Sequence, residues 1–433
     1  MSNFPRSVVV VGGSLAGLMH GVYLKRHGSD VVILEQDPSD VRSSHQAGIA
    51  FGPAVEELLG QCDDTGVQNC TPAAASRIAY RKRQDFMRTN IRRHQTSWGL
   101  LYRILRANFD GLVSDAVPIP PPNRPGDGRA EYHAGNRVTK LEYSDRAVTV
   151  GFVDQNGNEG SITADLVIGA DGMHSTVRTL LQAPTIKEYS GYVAWRGTVP
   201  ETDVSPETAK YFENYTTLNL LKHTYIVCLA LTQPPTTAES YIIPADTPTF
   251  ARGTRLINWV WYANLPAASP ELAAVLTDAS GVQHGNTVPA GLVRPDVWQR
   301  HLATALPRMA APFAELLAAT AHPFVTKVND AVCEAAPVFC GGRVVLVGDA
   351  LAAFRPHLAV ATEQAARHCL ALGRVWRGEI GVDQWGREAW AYGKRIWLAS
   401  RAFGAFGLGG WWAFLKAVCV YVSFLVRLKL GRG

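Results

Sequence analysis

The sequence predicts an α/β protein: a Rossmann-like parallel sheet with helices, an inserted antiparallel sheet, and a C-terminal helical tail. Three observations predict it. Short β-branched runs ending in glycine or an acidic residue recur at 8–11, 31–34, 166–169 and 343–347, as expected of parallel strands buried on both faces. Aromatic and β-branched stretches crowd the middle of the chain, which suits antiparallel strands. The segment 405–426 is apolar apart from Lys416, long enough for one extended helix.

Composition narrows the class. The chain has 433 residues, 47% hydrophobic and 18% charged, so a large core is available and global disorder is excluded. The net charge of +5 is mild, and no stretch combines dense basic charge with interleaved aromatics; no nucleic-acid partner is expected. The 7 cysteines are scattered with no CxxC pair, which argues against a zinc ribbon or disulfide scaffold and for reduced thiols. No metal site is expected. The short polar lead before Val8 does not look like a secretory signal, so a cytoplasmic protein is expected.

The first strand, 8–11, runs into Gly12-Gly13-Ser14-Leu15-Ala16-Gly17. Leu15, Leu18, Met19, Val22 and Tyr23 then fall at helical spacing, and Gly28 marks a stop. The second strand, 31–34, ends in Glu35, followed by Gln36. A strand–turn–helix–strand unit of this kind sets a dinucleotide pyrophosphate on a helix N-terminus and an acid on a ribose. The third strand ends in Ala170-Asp171-Gly172, followed by Ser175 and Arg178. The fourth ends in Gly348-Asp349, followed by Arg355-Pro356-His357 and a helix expected over 359–372. Asp349 can accept hydrogen bonds from ligand hydroxyls, and the helix after it points a positive N-terminus at an electron-rich ring.

These three segments, in this order, resemble the single-component FAD-dependent aromatic hydroxylases of the para-hydroxybenzoate hydroxylase fold. GGSLAGL, SHQAGI, GYVAWRG, INWVWY and GDALAAFRPH look like the 2,6-dihydroxypyridine hydroxylase-like branch. The resemblance implies FAD, NADPH or NADH as transient co-substrate, and O2. It implies hydroxylation of a phenol- or hydroxypyridine-like ring through a C4a-hydroperoxyflavin. Carried over residue by residue, Glu35 and Gln36 would meet the adenosine ribose, and Gly12, Ser14, Leu15 and Gly17 the pyrophosphate. Arg42, Gly48, Arg103, Arg106 and Asp171 would line the cofactor. Gly348 and Asp349 would hold the ribityl chain, and Pro356, Ala359, Ala361 and Thr362 would face the flavin ring. The family carries glycine at the positions of Ala359 and Ala361 and asparagine at Glu363. Alanine is tolerated there if φ stays negative. Glu363 would oppose a reduced flavin unless it points away.

The implied organisation is a flavin domain at 1–180 and 325–375, an inserted substrate domain at 181–324, and a tail at 376–433. Substrate strands are expected at 189–199, 218–231, 239–243 and 256–263, with the ligand between the domains. Tyr192, Trp195, Arg196 and Trp261 are the substrate candidates: aromatic faces and a cation suit an electron-rich ring or carboxylate. His357, with an ordinary pKa near 6.5, is the expected catalytic base that ionises a ring hydroxyl. His45 and Tyr192 are its rivals, and His174 is expected at the surface. Trp411-Trp412 before the apolar run and basic residues after it suit interfacial anchoring to a membrane, with a buried terminal or homodimer-contact helix as the second reading and a true span as the third. Two other functions stay open: an epoxidase or other oxygenase of a lipophilic substrate, and a flavin-binding module without turnover.

Overall fold

A computed structural model describes residues 3–39, 48–213, 215–229 and 256–431. The β-branched runs build the expected sheet. Among the described residues its order is Val338–Phe339, Val344–Leu346, Leu166–Gly169, Ser7–Val11, Asp30–Leu34 and Ala130–His133. All neighbours are parallel except the Val338–Phe339 edge. The register aligns Val11 with Gly169 and Leu34, so the strand ends carrying the three motifs sit side by side. Val8, Val9, Val10, Val167 and Ile168 are at most 1% exposed, the burial that their continuous apolar pattern requires.

The second sheet is antiparallel over most of its width and draws on more of the chain than 181–324. It includes Gly48–Phe51, the hairpin Thr71–Tyr80/Arg83–Ser97, and Phe324–Cys333 beside Thr185–Pro200, Tyr215–Leu221, Thr224–Leu229 and Leu256–Asn264. The strand expected over 218–231 is a hairpin. It turns at Lys222-His223, where His223 takes φ +60°. The strand expected at 239–243 lies outside the described residues.

Two C-terminal expectations change. The helix expected from 359 begins later, at Ala361–Trp376. The apolar run 405–426 is not one helix. The long helix Val382–Leu408 ends at Gly409-Gly410, and a terminal helix, Trp411–Lys429, folds back along it. Glycine at both positions removes the side-chain contacts that would carry a helix through the corner.

Candidate active site

The glycine turn is a cradle that side chains would fill. Gly12 has φ +102°, and a Cβ there would lie 2.6 Å from the Ala170 carbonyl oxygen. A Cβ on Gly17 would lie 1.9 Å from the Gly12 oxygen, and one on Gly13 2.2 Å from the Tyr132 hydroxyl. Ser14 is the N-cap of the first helix, Leu15–Arg26, and its side chain makes no capping bond; Leu15 packs into the core. The turn borders a cavity of about 280 Å³ lined by Gly12, Ser14, Glu35, Gln36, Asp171 and Gly172 among others.

Glu35 is buried at the cavity wall. Its two oxygens accept from the Gly13 amide at 2.7 Å and the Asp37 amide at 2.9 Å, so it shapes the turn as well as bordering the ribose position. Asp171 also borders the cavity, but its oxygens hold the second motif together. They accept from Ser175 Oγ at 2.5 Å and the Val177 amide at 3.0 Å, and burial raises its pKa. Arg178 ties this motif to the third: one guanidinium nitrogen donates to the Ala350 carbonyl at 2.7 Å, another to Met173 at 2.5 Å. Sequence reasoning passed over that role; an arginine two turns after the Asp-Gly pair was its only signal.

Asp349 follows the strand Val344–Leu346, at the end of the third motif. Gly348 takes φ +55°, and a Cβ there would lie 3.0 Å from Ala16, so the third motif abuts the head of the first helix. The Gly348 amide donates to His368 Nδ1 at 3.1 Å. The Asp349 carboxylate has no hydrogen-bond partner among the described residues, and burial pushes its pKa up to about 6. A desolvated acid without a donor, a cradle that would clash with any Cβ, and a cavity ending at Glu35 fit FAD.

The arginines of the helix Trp98–Asp110 divide. Arg103 is half-buried on it. Arg106 is held by neighbouring protein groups. Its guanidinium binds Asp110 at 2.8 Å and the Tyr102 hydroxyl at 2.8 Å, and lies 3.6 Å over the Tyr132 ring. Tyr132 in turn donates to the Gly13 carbonyl at 3.2 Å. Gly48 pairs with Ser97, the N-cap of that helix. Arg42 and His45 lie outside the described residues.

The family departures resolve in opposite directions. Ala359 does not keep a negative φ: after the turn Pro356–Leu358 it takes φ +49° and ψ +44°, a left-handed conformation that strains an alanine. Ala361 opens the next helix, where no strain arises, and Thr362 is buried in its first turn. Glu363 turns away from the ring position. Its carboxylate accepts from the Ala54 amide at 3.1 Å, at the start of the helix Pro53–Cys62, and pairs with Arg367 at 2.9 Å. A helix N-terminus and an arginine together offset its charge.

The strand Thr185–Pro200 sorts the substrate candidates by alternation. Tyr192, Ala194 and Arg196 share the face toward the third motif. Trp195 points the other way, into the core under Trp298, with ring centroids 5.2 Å apart. Trp261 is on that side too, 6.3 Å from Trp298. Trp195 and Trp261 are therefore core residues and not substrate contacts. The sequence pattern gives the alternation but not which face meets the cleft. Arg196 is half-buried near Tyr262, with no acidic partner among the described residues.

His357 sits in an aromatic box. Tyr192 Oη lies 2.6 Å from Nε2, Tyr225 Oη meets Nδ1, and the Tyr262 ring is edge-on at 4.7 Å. A neutral imidazole has one N–H, so one tyrosine donates to it and the other accepts. Burial first, and the Arg355 charge second, lower the His357 pKa to about 3. The expectation of an ordinary imidazole near 6.5 fails because the ring is enclosed beside a cation. Arg355 binds the buried Asp330 carboxylate at 2.5 Å, which also takes the Trp397 indole N–H at 3.0 Å. Arg401 beside it pairs with Glu188 at 2.6 Å, so the long helix is strapped across the sheet. His174 is exposed, as expected, with its Nδ1 2.8 Å from Lys187 Nζ.

A family model described as FAD binding domain matches residues 6–98 and 116–259, and a second, FAD binding domain-like, matches 189–330. The chain is 28% identical over 380 residues to the 2,6-dihydroxypyridine 3-monooxygenase of Paenarthrobacter nicotinovorans, covering 87% of this chain and 84% of that one. It is 29% identical over 212 residues to a Pseudomonas fluorescens 6-hydroxynicotinate 3-monooxygenase, covering 47% of this chain and 50% of that one. The solved 2,6-dihydroxypyridine-3-hydroxylase from Arthrobacter nicotinovorans superposes with a TM-score of 0.76 at 25% identity, over 95% of this chain and 94% of that one. Klebsiella pneumoniae HpxO, complexed with FAD and uric acid, shares the fold at a TM-score of 0.64 and 20% identity, over 98% of this chain and 95% of that one.

Proposed function

The chain belongs to the FAD binding domain family, and on that footing we propose that it is an FAD-dependent monooxygenase of hydroxypyridine- or phenol-like rings. NADPH or NADH and O2 are its co-substrates. The observation that carries the reading is that three strand ends lie side by side, with the glycine cradle against Gly348 and, next to it, Asp349, whose carboxylate has no hydrogen-bond partner among the described residues. The names of its relatives support the ring class.

Bound flavin supplies the activation of O2 with electrons from the nicotinamide; the rest falls to the chain. The Ser14 and Leu15 amides at the first helix N-terminus bind the pyrophosphate, with Glu35 and Gln36 at the ribose and Asp349 accepting from the ribityl hydroxyls. The turn from Pro356 to Thr362, with Ala359 and Ala361, borders the ring. Arg196, on the cleft face, holds an anionic substrate oxygen or carboxylate. His357 does not itself charge near neutral pH. It holds the Tyr192 and Tyr225 hydroxyls in place, so that Tyr192 orients a substrate hydroxyl by a hydrogen bond. The enclosed tyrosines, with pKa values raised by burial, stay protonated between turnovers.

The test is direct. The purified protein is expected to be yellow and to oxidise NADPH or NADH faster with 2,6-dihydroxypyridine, 6-hydroxynicotinate or a simple phenol, incorporating labelled oxygen from O2 into the ring. A colourless protein, or one that no hydroxylated ring stimulates, overturns the reading.

A membrane surface is the second partner we propose. The terminal helix is long and apolar enough to cross a bilayer by length and composition, yet only 6% of its most apolar window is buried. Lys416, in the second turn of that helix, favours lying at the surface over spanning.

A further inference from the structure

Three turns, remote in sequence, meet at one end of the large sheet. The hairpin Thr71–Tyr80/Arg83–Ser97 turns through Arg81-Lys82, and the hairpin Tyr215–Leu221/Thr224–Leu229 through Lys222-His223. Parallel pairing of Tyr80 with Leu220 sets the two turns side by side; the Arg81 amide donates to the Leu220 carbonyl at 2.8 Å, and Asn219 Nδ2 to the Arg81 carbonyl at 2.9 Å. The third turn is the Gly409-Gly410 corner. His223 Nδ1 lies 3.3 Å from the Gly409 carbonyl oxygen, and Asn264 Nδ2 donates to both the His223 carbonyl at 3.2 Å and the Leu408 carbonyl at 2.7 Å.

What these turns display is unusual for a water-facing edge. Trp412 is 82% exposed and Trp411 65%, with Phe406, Tyr80, Phe86 and Met87 also exposed. Between them stand Arg81, Lys82, Arg83 and Lys222, all exposed and without an ion pair among the described residues. The nearby acid, Asp85, is taken by Arg88 at 2.5 Å and Arg77 at 3.7 Å. Exposed tryptophans interleaved with uncompensated cations match the headgroup layer of an anionic bilayer: indoles settle at the interface, and cations meet lipid phosphates.

We propose that this edge docks the enzyme on an anionic phospholipid surface, with both hairpin turns and the Trp411-Trp412 corner in contact at once. The proposal rests on the membrane reading of the terminal helix and extends it to a second, basic element. Charge complementarity selects a bilayer over a second copy of the chain, because two such edges would repel.

Flotation of the full holoenzyme with phosphatidylcholine vesicles, with and without phosphatidylglycerol, tests it. Wild type is expected on the anionic vesicles, less so at high salt. Arg81→Glu/Lys82→Glu/Arg83→Glu should reduce that partition roughly 10-fold or more while keeping FAD and turnover. Trp411→Ser/Trp412→Ser should weaken binding to both vesicle types. If the charge-reversed variant floats like wild type, while deletion from Trp411 onward abolishes binding, the three-turn edge is overturned and the terminal-helix reading stands. Wild type that binds no vesicle overturns both. A concentration-dependent dimer that the charge reversal dissolves overturns the bilayer in favour of self-association.

Discussion

At the scale of single residues, Asp349 and His357 make opposite demands on pH. Burial raises the Asp349 pKa to about 6, whereas FAD hydroxyls require the ionised form. FAD binding therefore expels a proton below that value. Affinity should fall as pH drops through about 6 and stay level above it, and Asp349→Asn should flatten the dependence. Asp349→Ala should lose most bound flavin, a cost of about 2 kcal/mol or more, read from FAD content after gel filtration. For His357, a ring held near pKa 3 has no titration near 6.5 to display. The pH–rate profile should lack an imidazole limb there, and His357→Gln should retain FAD but divert NADPH oxidation to hydrogen peroxide, with hydroxylation down roughly 100-fold. Tyr225→Phe should share the uncoupling, since it removes the hydroxyl at Nδ1. Unchanged coupling at full flavin content in both variants would reduce the box to packing. Tyr192, Arg196 and His357 were visible in the sequence as aromatic, cationic and titratable groups near a motif. Tyr225 was not, because nothing local marks a strand tyrosine as the neighbour of a histidine 132 positions away.

Among the elements, the turn before the helix Ala361–Trp376 and the long helix over the sheet are the two pieces under tension or close contact. Ala359 holds φ +49°, where a Cβ costs roughly 1–2 kcal/mol. Ala359→Gly should stabilise the protein by roughly 1 kcal/mol after the added chain entropy, seen as a higher unfolding midpoint with FAD retained. A lowered midpoint would show that the left-handed turn is not populated. The long helix approaches the His357 box through glycines. A Cβ on Gly404 would lie 2.8 Å from His357 Nε2 and one on Gly407 2.6 Å from the Tyr225 ring. Gly404→Ala should therefore displace the imidazole and mimic His357→Gln in coupling, with smaller loss of stability than an internal cavity would cause. Element existence was largely visible from β-branched runs and helical spacing. The break at Gly409-Gly410 was harder to see, since an apolar run reads the same whether one helix carries it or two do.

For the whole molecule, three enclosed histidines set the acid limit. Burial lowers His20 to about 4 and His357 and His368 to about 3. The unfolded chain binds protons on these rings from about pH 6.5 downward while the native state does not. Stability should thus fall as pH falls from about 6.5 toward 4, by up to about 1.4 kcal/mol per histidine per pH unit, and recover above it. Urea midpoints at stepped pH would measure this, and a flat profile would contradict the burial. The sequence by itself determined the glycine cradle, the strand ends at Glu35, Asp171 and Asp349, and the order of the three motifs. These are local: a turn needs φ +102° at Gly12 or a missing Cβ at Gly17 wherever the rest of the chain goes. Only the tertiary structure decided that Trp195 and Trp261 face the core, that Glu363 caps another helix, that Arg106 lies over Tyr132, and that His357 is enclosed by Tyr192 and Tyr225. Each depends on which side of a sheet or helix meets a distant segment, and alternation in sequence marks two faces without saying which one is covered.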